Sequence, residues 1–163
     1  MNIMKFFALK CEEAVGHEAL ANLPEIQISD ARAVAGEEHI AFAIAQAHRA
    51  FSNSYNISRN KQIEVLIRAS AQRQINVAID RLGVDNTRDV VVIAEMFPEE
   101  FIRQYKCREC KKVLEITPEK LDYLKKLFNI NERELEALGA GSFDEMREAI
   151  KNIIIERIAL LNL

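Results

Sequence analysis

Glycine, proline, histidine and cysteine are all scarce in this chain of 163 residues. Its five glycines fall nowhere at the spacing of a phosphate-binding loop or a dinucleotide fingerprint. Neither a Gly-x-Ser-x-Gly elbow nor a zinc-protease motif is present. The three histidines, His17, His39 and His48, are scattered, and His39 and His48 suit capping or packing better than ligation. These absences remove the familiar routes to catalysis, so the expectation is a protein that is not an enzyme and uses no cofactor. No apolar run is long and uncharged enough to cross a membrane. The first segment, MNIMKFFALK, is too short and too interrupted by Lys5 and Lys10 for a secretion signal. The expected setting is cytoplasmic, with no membrane partner. An excess of positive charge is missing too: the formal net charge is -3. Any nucleic-acid binding must therefore come from a local basic patch.

Cysteine is limited to Cys11, Cys107 and Cys110. An odd count without a signal peptide argues against a disulfide framework. Cys107-Arg108-Glu109-Cys110 has the spacing of half a zinc site, and Cys11 with one histidine would have to complete it. Nothing in the sequence requires that, and two loop or helix-end thiols, with no metal, is the favoured reading.

What is present is one domain's worth of apolar residues, 49% of the chain. That is enough for a single domain over residues 1–163 to build its own core. Ile3 to Lys10 reads as a strand, Cys11 to Ala21 as a short helix, and Ile26 to Ser29 as a short strand. Glu37 to Phe51 carries Ile40, Ile44, Ala47 and Phe51 at helical spacing. Ser52 to Ser58 is polar and reads as a loop. Asp89 to Ala94 is a continuous β-branched run, the pattern of a central strand buried on both faces. Pro98 opens a helix to about Tyr105, and Val113 to Ile116 reads as a short strand. Thr117-Pro118-Glu119 is a helix start, with a hydroxyl cap, proline at the first position and an acid at the positive end. That helix stops near Asn129. Glu132 to Leu138 is a short helix ended by Gly139 and Gly141, and Ser142 with Glu145 opens a last helix running to the end of the chain. The predicted fold class is α/β: a single domain with a small mixed sheet of about four or five strands covered by helices.

The segment from Asn60 to Leu82, NKQIEVLIRASAQRQINVAIDRL, departs from simple helical patterning. Ile63, Leu66, Ile67 and Ser70 share one face; Ile75, Ala78, Ile79 and Leu82 share another, rotated by roughly a third of a turn. One straight helix cannot bury both. The reading is two helices with a break near Ser70 to Arg73, closed by Gly83 at a C-cap. A break leaves backbone N–H groups free at the start of the second piece. Ser70, Gln72, Arg73 and Gln74 surround them, with Arg59, Lys61 and Arg68 upstream, and donors of these kinds suit an anion such as phosphate. On a continuous helix Lys61, Arg68 and Gln72 lie together, so the break has to bring Arg73 round. Tyr55, in the preceding loop, is a candidate stacking platform.

Ser-Ala-Gln-Arg-Gln-Ile at 70–75, followed by Ala-Ile and Leu82-Gly83, resembles the most characteristic segment of the KEOPS accessory subunit, the PRPK-binding protein (TPRKB) family with its archaeal CGI-type relatives. Those members usually read Ser-Gly-(Gln/Lys)-Arg-Gln-Ile here, so Ala71 stands where they carry glycine. Asp30-Ala31, Val34, His39, Ala43 and Ala47 are similar to an earlier block of the family, and Glu156-Arg157-Ile158-Ala159-Leu160 to its closing helix. The resemblance implies a non-catalytic subunit of the complex that places threonylcarbamoyl on the adenosine beside the anticodon of tRNA. It implies binding to the kinase-like ATPase subunit and, as in archaeal members, to the single-stranded 3′ CCA end of tRNA. On that basis Arg59, Lys61, Arg68 and Arg73 are expected to meet phosphates, and Ser70, Gln72 and Gln74 to bond sugar or base. The competing readings are a protein–protein adaptor that does not touch tRNA, and a regulatory domain that binds a small ligand at the break. The sequence leaves a homo-oligomer open.

The final helix carries Phe143, Met146, Ile150, Ile153, Ile154, Arg157 and Leu161 on one face, while Ile155, Ile158 and Leu160 spread its apolar surface further round. A terminal helix apolar nearly all round is covered on more than one side, by the core or by a partner. Ile154, Ile155, Ile158 and Leu161 are the candidate partner contacts.

Overall fold

The computed structural model describes residues 3–162. Its centre is β3 (Thr87–Ala94), whose valine-rich stretch lies between two neighbours in a four-stranded sheet of order β2-β3-β1-β4. β1 spans Lys5–Val15, β2 Gln27–Asp30 and β4 Cys107–Glu109. All three pairings are antiparallel, so the small helix-covered sheet is present but is not the mixed one expected from the sequence. Because side chains alternate along a strand, β3 feeds two cores. Val91 and Ile93 join the helix-covered face with Met4 and Ala8. Val90, Val92 and Ala94 join Leu9, Ile28, Phe101 and Tyr105 on the other. Each large aliphatic side chain so buried contributes about 1.5–3 kcal/mol, so β3 anchors both layers.

The described residues form seven helices: α1 (Glu37–Ser52), α2 (Lys61–Ser70), α3 (Ile75–Leu82), α4 (Glu99–Tyr105), α5 (Pro118–Leu127), α6 (Glu132–Ala137) and α7 (Phe143–Ala159). Of these, α1, α2 and α4 lie directly on the sheet. Their starts follow the capping signals. Thr117 accepts a hydrogen bond from the Lys120 N–H, Asn131 from Glu134, and Ser142 from Glu145. α7 ends at Ala159 and a 3-10 turn, Leu160–Asn162, follows; the last residue of the helix expected to reach the terminus lies outside the described residues.

Three local expectations fail for tertiary reasons. The helix predicted over Cys11 to Ala21 is instead the second half of β1, followed by a 3-10 turn at His17–Leu20. Pairing of Cys11 with β4 and of Val15 with β3 holds that stretch extended. The strand predicted at Val113 to Ile116 is a 3-10 turn, Lys111–Leu114, because β4 already occupies that edge of β1. The cysteines are not all free thiols either. Cys11 and Cys107 face each other across β1 and β4 and form a disulfide. Their partners in register are 96 residues apart in sequence, a pairing no spacing rule reveals. Cys110 is the odd one left free.

His39, on the first turn of α1, joins two distant segments. Its Nδ1 accepts from the Ala35 N–H at 2.8 Å, so the proton is on Nε2, which donates to the Ala69 carbonyl at 2.8 Å. Complete burial pushes its pKa down to about 4, helped by the charge of Lys120 and opposed by the Ala69 bond. This is the packing role expected for it.

Candidate functional site

α2 begins at Asn60, whose side chain accepts from the Ile63 N–H. It stops at Ala71, which adopts φ 55° and ψ 34°, the left-handed conformation that glycine takes freely and alanine does not. The Ala71 N–H donates to the Arg68 carbonyl. The chain then turns through Gln72 to Gln74 and restarts as α3 at Ile75. The expected break is present, at the expected residues. Gln74 occupies the N-cap of α3 without capping it by its side chain. Its first-turn N–H groups therefore meet no side-chain acceptor, the condition that favours an anion there.

The candidate residues divide sharply. Arg73 and Gln74 are exposed and Gln72 is half-buried, all at the break. Arg73 donates from Nη1 to the Leu161 carbonyl at 3.0 Å and has no carboxylate partner among the described residues. Arg59 is exposed and Lys61 half-buried, but both sit at the start of α2. At 1.5 Å per residue that end is about 15 Å from the break, so the structure does not bring them to it.

Two candidates must be corrected. Arg68 is 1% exposed and cannot meet a phosphate from solvent. Its Nε donates to Glu64 Oε2 at 2.9 Å, its Nη2 lies 2.8 Å from the same oxygen, and its Nη1 donates to Asn162 Oδ1 at 2.6 Å. The other Glu64 oxygen accepts from the N–H groups of Ile57 and Ser58, at 2.8 and 2.7 Å. A residue at i+4 on the inward face of α2 finds its acid one turn back, and the pair is sealed in together. Tyr55, 37% exposed, has its ring centroid 5.8 Å from the same guanidinium, so one face of that candidate platform is taken. Ser70 is fully buried; its hydroxyl donates to the Ile67 carbonyl and accepts from the Gln72 N–H, which shapes the turn.

Arg81 and Arg157 join the site, unforeseen from the sequence. Arg81 Nη1 donates to the Ser70 carbonyl at 3.0 Å, and its guanidinium lies 5.4 Å from the centre of the Phe128 ring. Burial and the charge of Arg157 both lower the Arg81 pKa. Arg157 donates to the Phe128 and Asn129 carbonyls and pairs with Glu134 at 3.0 Å. The available signal was Arg157 itself, a cation on an otherwise apolar helix face, which has to point at something polar. Around the break, then, stand three guanidiniums, of which only Arg157 has a carboxylate among the described residues.

The C-terminal surface also differs from expectation. Ile154 and Ile158 are fully buried in the helix-side core and are not available to a partner. Ile155 and Leu161 remain partly exposed, and Leu160 is exposed. The wide apolar surface of α7 is explained by packing on α1, α2, α5 and α6 together. Among the described residues no three His, Cys, Asp or Glu side chains gather as metal ligands would. No described helix is long and apolar enough to cross a membrane.

The family model described as kinase binding protein CGI-121 matches residues 10–162. The chain belongs to the CGI-121 family. That match spans every described element, from within β1 to the last 3-10 turn, and bears out the family resemblance of the break motif. Kinase binding is accordingly the family's described property. A comparison with curated protein sequences finds no match.

Proposed function

We propose that this CGI-121 protein is a non-catalytic subunit of the KEOPS tRNA-modifying complex. In this reading it binds the complex's kinase-like ATPase and recruits tRNA by the 3′ CCA end at the α2–α3 break. The observation that supports tRNA capture is the pairing of an uncapped helix start with the exposed Arg73 and the carboxylate-free Arg81. A single-stranded 3′ end offers phosphates to these donors and unstacked base edges to Gln72 and Gln74. Arg59 and Lys61, at the far end of α2, would meet the acceptor stem or nothing.

The test is a binding titration of purified protein with tRNA, with and without its CCA tail. Arg73→Ala should weaken binding of intact tRNA about tenfold, roughly the value of one exposed charge-assisted hydrogen bond. Its log–log salt slope should fall by about 0.7, the share of one phosphate on a single strand. Removing CCA should weaken the wild type by at least as much. Equal affinity for intact and trimmed tRNA, with Arg73→Ala unchanged, would refute the reading and favour a pure adaptor.

A further inference from the structure

At the opposite end of α2 from the break lies an open groove of about 690 Å³. Its walls are the segment leading into β2 and the segment leaving β3. Leu23, Pro24, Ile26, Met96, Phe97 and Pro98 line it, over a floor that includes Met4 and Phe101. Met96 is 79% exposed and Phe97 48%, a large apolar pair left in water. Phe97 is not loose: its ring meets Phe7 edge-on at 5.6 Å between centroids. The groove is therefore preformed and of a size, about 300–1,000 Å³, that engages ligands.

Its charge is one-sided. Glu25, Glu95, Glu99 and Glu100 line the same groove, and no lysine, arginine or histidine does. None of the four carboxylates forms an ion pair among the described residues. A purely apolar occupant would strip water from these carboxylates and return nothing. An acidic occupant would be repelled. A second copy of the chain, docked two-fold on this face, would set the acids against themselves. A segment that alternates cations with large apolar side chains satisfies both features at once.

We propose that this groove docks a basic, amphipathic segment of a partner polypeptide, its apolar side chains seated on Met96 and Phe97 and its cations on the four glutamates. The inference goes beyond the tRNA reading and does not depend on it, since only Gln62 of α2 reaches the groove.

The probe is a fluorescein-labelled peptide alternating Lys or Arg with Leu and Phe, followed by anisotropy, beside a control with Glu replacing each cation. The basic peptide should bind at least tenfold more tightly than the acidic one, and less tightly as salt rises. The double variant Glu99→Lys, Glu100→Lys and the single variant Met96→Ser should each weaken it about tenfold or more. Both substitutions are at exposed positions, and backbone NMR spectra of the variants check the fold. NMR of the wild type with peptide supplies a variant-free readout, with shifts expected at 23–26 and 95–100. Equal binding of the two peptides, or shifts centred elsewhere, overturns the proposal. So does a concentration-dependent dimer that Met96→Ser dissolves.

Discussion

Acidification should weaken the fold through His39, because the ring is held neutral in a site that rejects its proton. The perturbation is a fall in pH from about 7.5 to about 4. His39 has an ordinary pKa of 6.5 and a folded value of about 4. The unfolded chain therefore takes up the proton first, and stability that is complete above pH 6.5 is lost as pH falls toward 4. At about 1.36 kcal/mol per pH unit, that window represents about 3 kcal/mol. The structural cause is double: the ring is fully buried, and Nδ1 cannot take a proton while it accepts from Ala35. Carboxylates titrate in the same range, so the assay needs a reference. His39→Asn keeps an acceptor near Ala35 and removes the titrating ring. Urea unfolding of both proteins across this pH range should show the wild type losing about 3 kcal/mol more than the variant. With a slope of about 1–3 kcal/mol per molar urea, the midpoints should converge by about 1 M or more. Parallel pH curves for the two proteins, or a ring that NMR finds protonating near its ordinary value, would refute the reasoning.

Arg68→Met should cost about 3–5 kcal/mol, measured by the same unfolding assay, because it leaves Glu64 charged and buried without its cation; replacing Glu64 with Met as well should recover much of the loss. Ala71→Gly should stabilise the protein by about 1 kcal/mol by relieving the left-handed backbone, and a loss of stability there would mean the turn is held by something other than φ. Ile158→Glu should unfold the protein, as judged by circular dichroism, since the side chain is fully buried. Leu160→Glu, at a 51% exposed position, should leave the fold intact and, if α7 presents its end to the kinase, weaken kinase binding.

How much of this was legible depended on whether a feature is local. The two stripes of Asn60 to Leu82 are out of phase, and that misfit located the break to within a residue. β3 was readable because five successive buried residues leave no other assignment. Thr117 and Ser142 announced their helices through chemistry that acts within four residues. Long-range facts were not readable. Arg68 carries the same charge as Arg73, yet Arg68 lies on the inward face of α2 and Arg73 in the exposed turn beyond its end. Cys11 and Cys107 are linked by strand register alone. Ile154 and Ile158 looked like surplus apolar surface because the periodicity of one helix says nothing about how many neighbours it has.

The 3-10 turn at Leu160–Asn162 is gripped twice, by Arg68 of α2 on Asn162 and by Arg73 in the break on Leu161. The tail thus acts as a latch on the hinge between α2 and α3. Whatever lifts that latch frees the Arg73 guanidinium on the outer side and leaves Arg68 to Glu64 alone on the inner. Grip on the tail and readiness of the hinge are in this way mechanically geared to one another.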